Sequence, residues 1–117
     1  MKLKIKKSGD ISILSLKSNR LDSKLATELK SRVVILDTEE DNDLVIDVSS
    51  ITFTDSSGLG SLLLAQRLYR DNGRRLVLVG ITNQVRKLLE ISKLNDVFVS
   101  VENTDAALEY LGTNGNN

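Results

Sequence analysis

Cysteine and histidine are both absent from this chain of 117 residues. Without Cys there is no disulfide framework, thiolate zinc site or thiol nucleophile. Without His, the usual general base at neutral pH and the commonest metal ligand are gone. Tryptophan is missing too, and Phe53, Tyr69, Phe98 and Tyr110 are too few for base stacking or a carbohydrate platform. With no proline, no helix is forced to kink. An excess of one charge is also lacking: sixteen Lys and Arg balance sixteen Asp and Glu. Such a chain has no general pull on nucleic acid or an anionic membrane, and nucleic acid is not an expected partner. No apolar run approaches the roughly 20 residues of a membrane span. The start, Met1 to Lys7, alternates lysine with Leu3 and Ile5 instead of forming a leader. The expectation is a cytoplasmic protein without membrane insertion.

What remains is an ordinary globular composition, 40% apolar and 27% charged, sized for one domain. Leu3 and Ile5, then Ile11 and Ile13 after Ser8-Gly9-Asp10, predict two short strands joined by a glycine turn. Leu25, Leu29, Val33 and Leu36 recur at helical spacing behind an Asp22 or Ser23 cap. That helix should give out in the acidic turn 37–43. Leu44 to Val48 is apolar on both faces, as in the middle of a parallel sheet. A long helix is predicted over 56–72, with Leu59, Leu62, Leu63 and Gln66 beginning its inner face and Gly73 ending it. A strand over 75–79, a helix capped by Thr82 or Asn83, and a strand over 97–101 follow. A short helix from Thr104 to Leu111, stopped by Gly112, leaves a tail at 113–117 expected to be disordered. Strands alternating with helices imply parallel pairing by right-handed crossovers. The fold class is α/β: one domain over 1–112, a mixed but mostly parallel sheet of about five strands with about four helices.

The densest chemical signal runs from Ile51 to Leu63, Ile-Thr-Phe-Thr-Asp-Ser-Ser-Gly-Leu-Gly-Ser-Leu-Leu. It joins the end of a buried strand to the longest helix, where open α/β sheets place their ligands. Ser56 and Ser57 fall where a helix presents unpaired N–H groups and its positive dipole end. Gly58 and Gly60 keep the first turn free of bulk, so another molecule's backbone could approach. The same residues also read as a plain cap and a tight helix–sheet contact. A dinucleotide fingerprint would need glycine where Leu63 stands, and a nucleophile elbow would need it at Thr54. No Gly-Lys-Ser/Thr phosphate loop exists. A hydroxyl without a base is a poor nucleophile but a good phosphate acceptor.

Phe53-Thr-Asp-Ser-Ser-Gly-Leu-Gly60, preceded by Leu44-Val-Ile-Asp-Val-Ser49, resembles the signature of the bacterial anti-sigma factor antagonists, the STAS-domain family. Asn19-Arg-Leu-Asp22 is similar to that family's turn before the first helix, with Asn19 in place of a small residue. Leu76 to Gly80 and Val85 to Leu89 fit as well. The resemblance implies a STAS-like domain that is not an enzyme and works by partner switching. The unphosphorylated form would bind an anti-sigma factor that is also a serine kinase, freeing the sigma factor. Phosphorylation on Ser56 would end binding, and a PP2C-type phosphatase would restore it. Partner contacts are then expected from Asp22, Asp55, Ser56, Ser57, Gly58, Leu59 and Gly60. No cofactor is expected, since ATP and Mg²⁺ belong to the partner kinase. STAS-like subunits of phospholipid-transport ATPases and stress-signalling scaffolds are the alternative the same resemblance leaves open.

Two other clusters read as structural. Acids at 37, 39 and 41 start like a calcium loop, but Asn42 stands at the turn glycine and Val48 at the bidentate Glu. Arg67, Arg70, Arg74 and Arg75 gather where the long helix ends and suit its negative terminus.

Overall fold

The computed structural model describes residues 2–115. Strands β1 (Leu3–Ser8) and β2 (Ile11–Leu16) form an antiparallel hairpin in which Leu3 faces Leu16 and Ser8 faces Ile11. Its two-residue turn puts Gly9 at φ +58°, the left-handed region that glycine enters without a Cβ penalty. The chain continues through β3 (Arg20–Leu21), α1 (Ser23–Glu39), β4 (Asp43–Asp47), β5 (Phe53–Thr54) and α2 (Ser56–Asp71). It closes with β6 (Leu76–Val79), α3 (Asn83–Ile91), β7 (Val99–Val101) and α4 (Thr104–Gly115). The main sheet has the order β1-β2-β4-β6-β7, antiparallel at the hairpin and parallel thereafter.

Each crossover steps in the same direction, so the right-handed rule places α1, α2 and α3 on one face. There Leu25, Leu29 and Val33 of α1 and Leu62, Ala65 and Tyr69 of α2 pack on Leu14, Leu44, Ile46 and Leu78. Among the described residues, only α4 covers the other face, where Ala107 and Leu111 meet Ile13, Val45 and Val77. Each fully buried aliphatic side chain contributes roughly 1.5–3 kcal/mol, and alternate residues of β4 reach both layers. Glycine is required at Gly80 on two counts: its φ is +74°, and a Cβ there would lie 2.6 Å from Ser49 Cβ.

The expected elements are present, with five differences. The inner face of α2 is centred on Gly58, Leu59, Leu62, Ala65 and Tyr69, leaving Leu63 and Gln66 on its flank. Val97 and Phe98 precede β7 instead of belonging to it, and Phe98 drops into the three-helix core. Gly112 does not stop α4: it sits in an ordinary helical turn, and the helix carries through Gly115. The segment 113–115 of the expected tail therefore continues that helix; 116–117 lie outside the described residues. The acidic turn is also less solvated than its charge suggests. Asp37 pairs with Arg74 and accepts from Asn72 Nδ2 at 2.9 Å, while Asp43 pairs with Arg75 at 2.9 Å. Arg74 further donates to the Glu40 carbonyl at 2.8 Å and lies 4.6 Å from the Tyr69 ring centroid. The arginines at the end of α2 thus serve the end of α1 as much as their own helix. Finally, β3 and β5 form a separate two-stranded parallel ladder, too short to leave any periodicity in the sequence.

Candidate functional site

That ladder brings residues of the two motifs into one place. Arg20 pairs with Phe53 and Leu21 with Thr54, so the next residue on each strand, Asp22 and Asp55, occupies the equivalent position. Both are N-caps. Asp22 Oδ1 accepts from the Leu25 N–H at 3.1 Å and Asp55 Oδ1 from the Gly58 N–H at 3.0 Å. Each satisfies one of the donors that a helix start leaves unpaired. Two helix N-termini, α1 and α2, thereby open side by side. The Asp22 carboxyl is held below the usual carboxylate range, first by its hydrogen bond from Leu25 and then in part by the charges of Lys2 and Arg20.

Ser56 is the first residue of α2 and is exposed; Ser57 is half-buried beside it. Ser56 thus stands exposed at a positive helix end, directly after the capping Asp55. Gly58 and Leu59 turn the other way and are buried. At Gly58, the backbone that approaches belongs to this chain. A Cβ there would overlap Thr54 Oγ1 and the Leu21 carbonyl oxygen and come 2.9 Å from Leu21 Cγ. The same Thr54 hydroxyl donates to the Leu21 carbonyl at 3.0 Å in a buried bond that ties β5 to β3. The expectation that Gly58 leaves room for another molecule is therefore corrected, since Leu21 fills that room. Leu59, packed in the core, offers a partner no surface either. Gly60 is different: it is exposed, and a Cβ on it would meet nothing within 4 Å.

The exposed side of the ladder holds two residues that no sequence pattern pairs. The Arg20 guanidinium lies 4.2 Å from the centroid of the exposed Phe53 ring. A groove of about 590 Å³ between β1 and α1 reaches Asp22 but not Ser56; Leu3, Leu25 and Ile35 are among its walls. Among the described residues, no cluster of three or more carboxylates could hold a metal ion. No described helix is long and apolar enough to cross a membrane.

A compact α/β domain with an exposed serine at the head of its second helix is what this geometry defines. The STAS domain family model matches residues 2–109, and the chain belongs to that family. A Listeria monocytogenes protein named anti-sigma-B factor antagonist is 28% identical over 100 residues, covering 86% of this chain and 82% of that one. Its Staphylococcus aureus namesake (strain COL) is 24% identical over 85 residues, 73% of this chain and 79% of the other. Among solved structures, a variant of RsbS from Moorella thermoacetica covers 100% of both chains with a TM-score of 0.87 at 23% identity. The anti-sigma factor antagonist SpoIIAA in its unphosphorylated form gives 0.74 at 15% identity, covering 94% of this chain and 97% of that one. These two structural likenesses concern the fold.

Proposed function

We propose that this protein is an anti-sigma factor antagonist whose binding is switched by phosphorylation of Ser56. The observation that carries the reading is the exposed Ser56 hydroxyl at the first position of α2, directly after the Asp55 cap. Relatives named anti-sigma-B factor antagonists point to the same role. In the unmodified state the surface around Asp22, Asp55, Ser56 and the open flank at Gly60 docks an anti-sigma factor that is also a serine kinase. Ser56 Oγ then attacks the γ-phosphorus of ATP held with Mg²⁺ by that partner. The bond to ADP breaks, and the hydroxyl proton passes to a base of the kinase. A PP2C-type phosphatase returns the serine. The chain itself supplies a binding surface and an acceptor and no catalytic group.

The physics suits a switch that acts on the partner and spares the fold. Phosphate adds about −1.5 to −2 charges. At a helix N-terminus such charge is favoured by roughly 0.3–2 kcal/mol, so the folded state accepts it. Like charges brought together across an interface cost several kcal/mol, and each 1.4 kcal/mol is about tenfold in affinity. Ser56→Asp is therefore expected to fold normally and lose partner binding. Affinity capture with wild type and with Ser56→Asp tests this. Retention of an ATP-binding serine kinase by the wild type alone is the expected result. Equal retention by both, or capture of transporter subunits by both, would overturn the reading.

A further inference from the structure

Arg20 and Phe53 face each other across the β3/β5 ladder, on its exposed side, while Leu21 and Thr54 point inward. The Arg20 guanidinium is stacked at 4.2 Å on the ring centroid. Among the described residues it enters no ion pair, and its side-chain N–H groups donate to no other residue. A planar fork of five donors is thus held beside an exposed ring with no anion bonded to it among the described residues. Phe53 precedes Ser56 by three residues along β5 and the start of α2, at most about 10 Å of chain at strand rise. An extended arginine and a phosphoserine side chain can close that span from its two ends. Arg20 already bears on this corner of the molecule, since its charge contributes to holding down the neighbouring Asp22 carboxyl.

We propose that Arg20 reads the state of Ser56: it stacks on Phe53 while Ser56 carries a hydroxyl, and moves onto the phosphate when Ser56 is phosphorylated, leaving Phe53 bare. The inference rests on the phosphorylation of Ser56 proposed above. A guanidinium stacked on an exposed ring is held weakly, whereas a bidentate, charge-assisted pair with a phosphate dianion is among the stronger contacts a side chain makes. Modification would then change two things at the docking surface. It adds negative charge at Ser56, and it removes the cation that unmodified protein displays over Phe53. A partner recognising that cation–aromatic platform loses it without any backbone movement.

The test uses the full chain with phosphoserine installed at position 56 during translation, so that no kinase is needed. ³¹P NMR titration of this protein is compared with the same protein carrying Arg20→Gln, an exposed substitution that removes the charge. Asp22, Asp55 and the α2 dipole are common to both. The phosphate's second ionisation is expected roughly half a pH unit or more lower with Arg20 present, a threefold or greater change in proton affinity. In parallel, the ring-current shift that Phe53 imposes on the Arg20 δ-methylene protons in unmodified protein should collapse on phosphorylation. Equal ionisation in the two proteins, or an undisturbed ring-current shift, would overturn the proposal. Because the phosphate is placed without a partner, this outcome is independent of whether Ser56→Asp loses binding, and each reading can fail alone.

Discussion

Two glycines two residues apart in the first turns of α2 should respond to alanine with opposite signs. At Gly58 a Cβ would overlap Thr54 Oγ1 and the Leu21 carbonyl oxygen and stand 2.9 Å from Leu21 Cγ. The carbonyl is backbone and is fixed by the β3/β5 ladder, so the clash cannot be relieved by rotating one side chain. Overpacking of this kind costs about 1–3 kcal/mol. Displacing the Thr54 hydroxyl also breaks its buried bond to Leu21, worth about 1 kcal/mol. Against this, alanine in place of glycine favours the helix by about 1 kcal/mol. Gly58→Ala should therefore lose about 1–3 kcal/mol. Gly60→Ala meets nothing within 4 Å and keeps only the helical gain, about 0.5–1 kcal/mol of stabilisation. Equilibrium urea unfolding followed by far-UV circular dichroism measures both, because the chain has no Trp for fluorescence. A Gly58→Ala protein as stable as wild type would refute the claim that Leu21 and Thr54 set the entry to α2. A Gly60→Ala protein that keeps its stability but loses partner binding would mark the open flank as part of the docking surface.

The remaining expectations concern titration and backbone strain. Burial, reinforced by the charges of Asp43 and Glu40, pushes the Tyr69 hydroxyl up from its ordinary 10.0 to about 12. The folded state thus disfavours the phenolate, and this contribution is complete below pH 10 and is lost as pH rises toward 12. At 1.36 kcal/mol per pH unit this is on the order of 2–3 kcal/mol. Unfolding curves at pH 9 and 11.5 should show the loss in wild type, and Tyr69→Phe should flatten it. Asp22 has the opposite sign, since its folded carboxyl is lowered by the Leu25 N–H and nearby cations. Its contribution is present above the unfolded value of 3.8 and is lost as pH falls through the folded one. Asp22→Asn retains a capping oxygen and should remove that acid-side dependence, together with the share of the stability at pH 7 that the charge supplies. Lys93, at φ +59° after α3, is a non-glycine residue in the left-handed region. Lys93→Gly should gain up to about 1 kcal/mol, read as a higher urea midpoint.

The long elements were legible because they carry periodicity. The i, i+3, i+4 spacing of Leu25, Leu29, Val33 and Leu36 announces α1, and all four are buried. Asp22, Asp55 and Thr82, residues suited to capping, do cap their helices. What stayed hidden were contacts between segments distant in sequence. A two-residue ladder has no period, so nothing in the sequence pairs Arg20 with Phe53 or places Leu21 against Gly58. Gly58 and Gly60 look identical in sequence, yet one faces a packed backbone and the other faces open space. In the sequence, Asp37 and Asp43 read as part of an acidic turn, and Arg74 and Arg75 as complements to the end of their own helix. Only the fold, which brings the ends of α1 and α2 together, makes them partners.

The order of strands in the main sheet carries a consequence for biosynthesis. Reading across β1-β2-β4-β6-β7 is also reading along the chain. Because N-terminal segments leave the ribosome first, a strand that emerges later can pair at the edge of one already outside. No finished pairing has to open to admit a later arrival, as it would in a sheet whose last strand lies in the middle. The free edge for later pairing then moves from β2 towards β7, while β1, bearing the exposed Lys4, Lys6 and Lys7, forms the opposite margin of the sheet. Only α4 must cross to the far face, and it does so once the surface that receives it is complete.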